Sequence, residues 1–421
     1  MAELNDSLTF KHGATIANRF VQPPMLTNSG IEGEASSDTI NYYKHHSKSG
    51  GMIITEYIYV SPEGGPAISW AKDRTQLAVY DDKFIPQLKK VAAAMKSSGN
   101  KAIMQIADTG REASGRVALY GKPVYAPSAM DFPFLPYKVH EYSDEQIQKV
   151  VRDFGDAVKR AVEAGFDGIE IHGANHYLIQ QFFSAYSNHR TDHWGGNLEK
   201  RMNFPLAVVE SVMNAVKKYA PKDFIVGYRI SPEEINPDSV GYTWHESTQL
   251  IKAITDKFDL DYIHLSLPAY DQKPKDSDET FAELFRPVLG EGTKEIIVGG
   301  VNSPEKARDA MKYTDLIAVG RENIIDPLFA EKILTSHEDE ITDKISIDQI
   351  KNNGMTQGMI DNFSAPKGSN PLAGDESIKS LHIKPGAWSE MTYVDSPEMK
   401  WFLKINKSIE NKSIENKSIE K

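Results

Sequence analysis

Ser143–His172, SDEQIQKVVRDFGDAVKRAVEAGFDGIEIH, is the stretch on which the fold turns. Ser143 followed by Gln146 three residues later is a capping box, so a helix is expected over Asp144–Ala164. The run Asp167–His172 is short and nearly continuously apolar at its centre. Strands of parallel sheets are buried on both faces and read this way. A helix followed at once by a doubly buried strand is half of a repeating unit, and the rest of the chain repeats it.

Seven further runs have the character of Asp167–His172: Phe20–Met25, Gly51–Glu56, Lys101–Ala107, Phe224–Ile230, Leu260–Ser266, Glu295–Gly299 and Asp315–Gly320. Amphipathic segments lie between them. In Asp81–Ser98, Phe84, Leu88, Val91 and Met95 recur at helical spacing, and Leu198–Tyr219 reads as another helix. Eight strand–helix repeats favour a closed (β/α)8 TIM barrel over an open doubly wound sheet. Leu8–Arg19 reads as a hairpin ahead of the first strand. The barrel is expected to occupy residues 1–338. Residues 339–403 read as an irregular extension packed on the barrel, with Gly, Pro and Asn clusters such as SAPKGSNPLAGDES. Residues 404–421 hold a polar NKSIE repeat that cannot bury a core, and are expected to be disordered or a frayed helix.

Composition narrows the function. Among 421 residues there is no cysteine, which excludes disulfides, Fe–S clusters and thiolate zinc sites within the chain. The net charge of -11 comes without a long basic stripe, so neither nucleic acid nor an anionic membrane is an expected partner. The first residues are polar, no apolar run approaches ~18 residues, and a cytoplasmic protein is expected. GxGxxG after a strand, GxxxxGK[ST] and HExxH are all missing. His172/His176 and His189/His193 have the i,i+4 spacing of a helical metal pair, but no third ligand stands at a convincing spacing, and no metal is expected.

In a barrel the chemistry sits at the C-terminal ends of the strands. The unusual polar and glycine residues collect there: Gln105, His172, Arg229, Gly299-Gly300, and Gly320-Arg321. The densest block, Asp167–Pro205, holds His172, Asn175 and Tyr177, then Ser187-Asn188-His189-Arg190-Thr191-Asp192 and Gly195-Gly196. This block resembles the Old Yellow Enzyme family of FMN-dependent ene-reductases, in which a strand-end His, then His or Asn, then Tyr precede an SNxRxDxxGG stretch. NRFVQPPM, GMIITE, the Gln105 strand, Arg229 and Val319–Arg321 extend the resemblance over roughly Leu8 to Leu334.

The resemblance implies FMN as cofactor, NAD(P)H as electron donor and a small-molecule enone as substrate, reduced at its activated C=C bond by a ping-pong mechanism. A homodimer would suit such a barrel. His172 and Asn175 can both donate to one carbonyl oxygen, where hydride addition builds negative charge. Tyr177, protonated at neutral pH, can supply a proton to the α-carbon. By resemblance Gln105 meets the flavin pyrimidine edge, Arg229 faces its N1 and O2, and Pro24, Met25, Leu26 and Tyr57 lie beside the ring. Gly299, Gly300, Gly320 and Arg321 would hold the phosphate. A competing reading pairs Arg229 with Glu170 on the neighbouring strand.

Four positions depart from the family pattern. Leu26 stands where Thr or Cys is usual, and Tyr57 where a small residue is usual, so its ring must point away or reshape the pocket. Asn28 and Asp108 stand where one bacterial branch has tyrosine and histidine. Three alternatives remain: the same scaffold acting as a flavin oxidase or quinone reductase, a flavin-binding redox sensor without turnover, and a flavin-free barrel such as a lyase.

Overall fold

The computed structural model describes residues 2–132, 135–236, 239–364 and 372–383. Eight parallel strands close on themselves: β1 Phe20–Gln22, β2 Met52–Ile54, β3 Lys101–Ala107, β4 Gly168–Gly173, β5 Ile225–Ile230, β6 Tyr262–Ser266, β7 Lys294–Val298 and β8 Leu316–Ala318. Each pairs with the next in sequence, and β8 pairs back onto β1 through Ile317↔Phe20 and Ala318↔Val21. One helix follows each strand on the outside: α1 Ser37–His45, α2 Ile85–Met95, α3 Asp144–Glu163, α4 Asn203–Tyr219, α5 Trp244–Lys257, α6 Phe281–Phe285, α7 Pro304–Ala310 and α8 Phe329–Leu334. This is the (β/α)8 barrel expected from the sequence. The capping box forms as read: the Gln146 amide N–H donates to Ser143 Oγ (3.3 Å), and the Ser143 N–H donates to Gln146 Oε1 (2.9 Å). The segment Leu198–Tyr219 divides at Met202 into Leu198–Arg201 and α4.

Strand periodicity sorts the core into two layers. Outward residues such as Ile53, Met104, Ile169, Ile171, Tyr228 and Ile263 pack against the helices. Inward residues Val21, Met52, Ile54, Ile103, Ile225, Tyr262, Ile296 and Leu316 form a second apolar cluster inside the barrel. That cluster also takes in Leu8, Phe10, Ala14 and Ile16, because the hairpin Leu8–Thr9/Thr15–Ile16 plugs the N-terminal end. Burial of Phe10 alone contributes about 1.5–3 kcal/mol. Gly227 is required here, since a Cβ on it would lie 2.1 Å from the Tyr262 ring that crosses the lumen.

The stretch after α8 is described through residue 364 and again over 372–383. It contains short helical turns, including Ile350–Asn353 and α9 Gln357–Phe363. These reach back to the loops after β1 and β2. Thr356 Oγ1 donates to the Thr27 carbonyl, a Cβ on Gly358 would lie 2.2 Å from the Asn28 carbonyl oxygen, and Arg74 pairs with Asp361. The remainder of the expected extension and the NKSIE repeat lie outside the described residues. Among the described residues no helix is long and apolar enough to cross a membrane.

Candidate active site

Above the apolar cluster the barrel lining turns polar. Gln105, Glu170, His172, Arg229 and His264 all sit there, at 0–6% exposure. Strand register brings them together: Gln105 lies opposite Glu170, and Arg229 lies opposite both His172 and His264. Gln105 Nε2 donates to Glu170 Oε1 (2.6 Å), and His264 Nδ1 donates to Glu170 Oε2 (2.8 Å). Burial alone would raise the Glu170 carboxyl, but His264, Arg229 and Gln105 together hold it below its ordinary value, so it is ionised. His264 is lowered, by burial first, and is neutral. The predicted alternative for Arg229 does not arise as a contact: Glu170 is engaged by Gln105 and His264, while Arg229 Nη2 donates to Ser266 Oγ (3.1 Å).

Several polar atoms in this layer are buried without a protein partner: Gln105 Oε1, Arg229 Nε, His264 Nε2 and both ring nitrogens of His172. A buried polar atom left unpaired costs about 1–3 kcal/mol. Acceptors (Gln105 Oε1, His264 Nε2) and a donor (Arg229 Nε) thus stand unpaired in one polar layer. An isoalloxazine pyrimidine edge, with its N–H between two carbonyls, supplies complementary groups, so the residues present fit FMN. His172 is held well below its ordinary pKa by burial, with Arg229 and His264 adding to the effect, and is therefore neutral at pH 7.

β4 ends at Gly173 and the next helix begins at Leu178. The turn between them puts Asn175 and His176 in the left-handed region, at φ 58° and 63°. Asn tolerates this conformation better than most residues. The Asn175 N–H donates to Ser231 Oγ (3.0 Å), and its Oδ1 accepts from Ser266 Oγ (2.9 Å). With Oδ1 occupied, the side-chain NH2 of Asn175 is left to donate outward. Tyr177 follows, with its ring 5.1 Å from His172 in an edge-on arrangement. Its phenol is raised by burial and is protonated at neutral pH. Asn175 and Tyr177 open onto a cavity of about 580 Å³, also lined by Arg111, Glu112, Tyr186 and Ile68.

Tyr57 takes the second course open to it and enters the site. Its ring lies 4.8 Å from Tyr177 and 5.8 Å from His172. The cause is a bulge after β2. Ile54 pairs with Ile103 and Ile58 with Ile106, four positions on one strand against three on the other. An inserted residue of this kind re-aims side chains. Thr55 Oγ1 patches the ladder by accepting from the Gln105 N–H (3.0 Å), Tyr43 Oη accepts from the Glu56 N–H (2.8 Å), and Gln76 Nε2 donates to the Tyr57 carbonyl.

Glu56 anchors the other wall. It accepts from the Thr27 N–H (2.6 Å), Thr27 Oγ1 (3.0 Å) and the Leu77 N–H (3.0 Å), and burial pushes its carboxyl up to about 7. This fixes the half-buried run Pro24-Met25-Leu26 at the end of β1. Gly320 lies beside it, since a Cβ there would be 3.4 Å from Met25 Sδ. Gly299 needs its freedom: φ is 142°, and a Cβ would meet the Leu267 carbonyl oxygen at 2.4 Å. Gly300 follows at φ 68°, and Arg321 is exposed at the start of Arg321–Ile325.

The other departures are internal. Asp108 is buried, accepts from Ser61 Oγ and the Gly110 N–H (both 2.9 Å), and is raised to about 6 by burial. Asn28 is buried beneath Gly358. The SNHRTDHWGG stretch is architectural: Asn188 Nδ2 donates to the Phe182 and Trp194 carbonyls (both 2.7 Å), and Arg190 Nη1 to those of Tyr142 (2.7 Å) and Pro127 (3.0 Å). His176 is half exposed beside Glu234, and among the described residues no group of three or more metal-ligating side chains comes together. Sequence reading missed His264, Ser266 and the role of Glu170. A histidine inside the apolar run YIHLS and a Glu two residues before His172, on the same strand face, were the available signals.

Residues 3–340 match the profile of the NADH:flavin oxidoreductase / NADH oxidase family. A probable NADH-dependent flavin oxidoreductase of Bacillus subtilis, YqiG, is 39% identical over 343 residues, covering 80% of this chain and 89% of the relative. The NADH:acrylate oxidoreductase of Vibrio harveyi is 36% identical over 79% of this chain, which spans 33% of that longer protein. Morphinone reductase in complex with tetrahydroNAD superposes with a TM-score of 0.66 at 25% identity, covering 80% of this chain and 91% of that one.

Proposed function

This chain belongs to the NADH:flavin oxidoreductase / NADH oxidase family, a family of FMN-dependent oxidoreductases using NAD(P)H, and on that premise we propose that it reduces the activated C=C bond of small α,β-unsaturated carbonyl compounds. The carrying observation is a buried, neutral His172 with neither nitrogen bonded, beside an Asn175 whose amide Ser266 turns outward.

FMN would be held by Gln105, Arg229 and the Pro24–Leu26 run, with its phosphate at Gly299, Gly300, Gly320 and Arg321, and would supply the hydride chemistry. Everything else belongs to the protein. His172 and Asn175 each donate to the acceptor's carbonyl oxygen, as fixed donors where negative charge develops. A neutral imidazole holds one proton for that bond and leaves its other nitrogen without charge. Arg229, buried and positive, opposes negative charge accumulating beside it. Tyr177 stands over the same mouth with its proton in place and delivers it to the α-carbon. The relative named for acrylate supports an α,β-unsaturated acid as one acceptor.

The test is the visible spectrum of the purified, FMN-loaded chain through anaerobic addition of NADPH and then of 2-cyclohexenone or acrylate. Bleaching followed by recovery with the alkene is the expected result. Recovery with oxygen or a quinone alone would move the assignment to an oxidase or quinone reductase. A flavin band that never responds would favour a redox sensor. A His172→Ala, Asn175→Ala double variant should keep FMN and lose about 100-fold or more in affinity for p-chlorophenol, from two charge-assisted hydrogen bonds.

A further inference from the structure

Tyr57 stands beside Tyr177 and His172, in the direction that the bulge after β2 gives it. The bulge is braced from three directions, by Thr55 Oγ1, Tyr43 Oη and Gln76 Nε2, so the direction of Tyr57 is built into the fold and does not follow a free rotamer choice. Its ring touches Tyr177 at 4.8 Å, with the planes 39° apart, and flanks His172 at 5.8 Å. Tyr177 is the group that must lose a proton in the reading above, and a phenolate in a half-buried mouth needs support.

We propose that Tyr57 is a positioning residue for Tyr177, its hydroxyl donating a hydrogen bond to the Tyr177 oxygen and holding that oxygen in place as its proton leaves. The proposal rests on the reading of Tyr177 as the proton donor. In the step itself the Tyr177 O–H bond breaks as a C–H bond forms at the acceptor's α-carbon. The resulting phenolate accepts from Tyr57, which keeps its own proton, and water at the cavity mouth returns a proton to Tyr177. The electron pair of the acceptor's enolate forms the C–H bond and the O–H pair stays on Tyr177, so nothing is oxidised or reduced in this step. Burial keeps the Tyr57 phenol well above the ordinary range, so it remains a donor throughout, and a hydrogen bond from it would oppose the effect of burial on Tyr177. A phenylalanine would preserve the packing and lose only the bond.

The experiment uses the full FMN-loaded chain as wild type, Tyr57→Phe, Tyr177→Phe and the double variant. Reoxidation of the reduced protein is followed separately with 2-cyclohexenone and with menadione, and p-chlorophenol affinity is measured by visible absorbance. Menadione is protonated on oxygen, which exchanges directly with water, so it does not need Tyr177. A hydrogen bond to a charged oxygen corresponds to about 10–100-fold in rate. Tyr57→Phe should slow the enone reaction by that factor, leave menadione and phenol binding within about 2-fold, and add nothing in the Tyr177→Phe background. An enone rate equal to wild type while Tyr177→Phe is slow would overturn the proposal and leave the function standing. Equal slowing with both acceptors, or lost phenol affinity, would also overturn it, by showing a general structural role. If Tyr177→Phe itself has no effect on the enone, the donor assignment falls and takes the proposal with it.

Discussion

Ser266 joins the two halves of the site, and removing its hydroxyl gives a calculable loss. Arg229 Nη2 donates to Ser266 Oγ at 3.1 Å, and Ser266 Oγ donates to Asn175 Oδ1 at 2.9 Å. The second bond decides which end of the Asn175 amide faces the acceptor. Without it, the oxygen and NH2 orientations become close in energy, and the wrong one presents an acceptor to a carbonyl oxygen. One neutral hydrogen bond is worth about 0.5–1.5 kcal/mol, so Ser266→Ala should weaken p-chlorophenol binding by about 3–10-fold. Asn175→Ala should cost about 10-fold by removing the donor outright. In the Asn175→Ala background Ser266→Ala should then cost almost nothing, a coupling of about 1 kcal/mol in a double-mutant cycle. Ser266→Thr keeps a hydroxyl and should restore binding. Strictly additive losses, or full affinity in Ser266→Ala, would refute the claim that this serine sets the Asn175 amide.

Three further outcomes follow from the geometry. Gly299→Ala forces a Cβ to 2.4 Å from a backbone oxygen at φ 142°, so thermal melts should show a Tm lower by several degrees, together with weakened FMN binding. Thr356→Ala removes the N-cap of α9 and the hydroxyl bonded to the Thr27 carbonyl. It should cost about 1–2 kcal/mol in denaturant unfolding and raise the FMN dissociation constant. Burial pushes the Glu295 carboxyl from 4.5 up to about 8, and Glu56 to about 7. An acid weaker in the native state than in the unfolded chain binds its proton more tightly when folded. Its contribution to stability is therefore full below 4.5 and is lost as pH rises through 7 to 8. Glu295→Gln, which keeps an oxygen for Arg286, should flatten the fall in Tm between about pH 4.5 and 8; an unchanged pH profile would count against a protonated Glu295.

Much of the barrel was legible because double burial leaves apolar runs such as MII, IIV and LIA that a chain can show by itself. The hairpin and the Ser143 cap were legible for the same reason, since both are local. His172, Asn175 and Tyr177 were legible as neighbours in sequence, and the structure does bring the His172 and Tyr177 rings together. What escaped was set by partners far along the chain. The bulge at Thr55–Tyr57 is a mismatch of register with β3, and TEYIY reads as uninterrupted strand. Glu170 was read against Arg229 on the adjacent strand, yet it is β6, one strand further round, that presents His264 to it. Ser266 is only the last residue of the run Leu260–Ser266 in sequence, and its contacts with Asn175 and Arg229 come from two other strands' ends.

The clasp of Thr356 and Gly358 on the Thr27–Asn28 turn has a consequence for how the protein is made. Synthesis supplies every barrel strand by residue 318, but one wall of the flavin cleft is braced by a segment that leaves the ribosome almost forty residues later. A nascent chain can therefore close its barrel before it has a finished cleft. Flavin loading then falls after the Thr356–Gly358 segment has emerged, and yellow colour reports on chains that have reached that segment as well as folded.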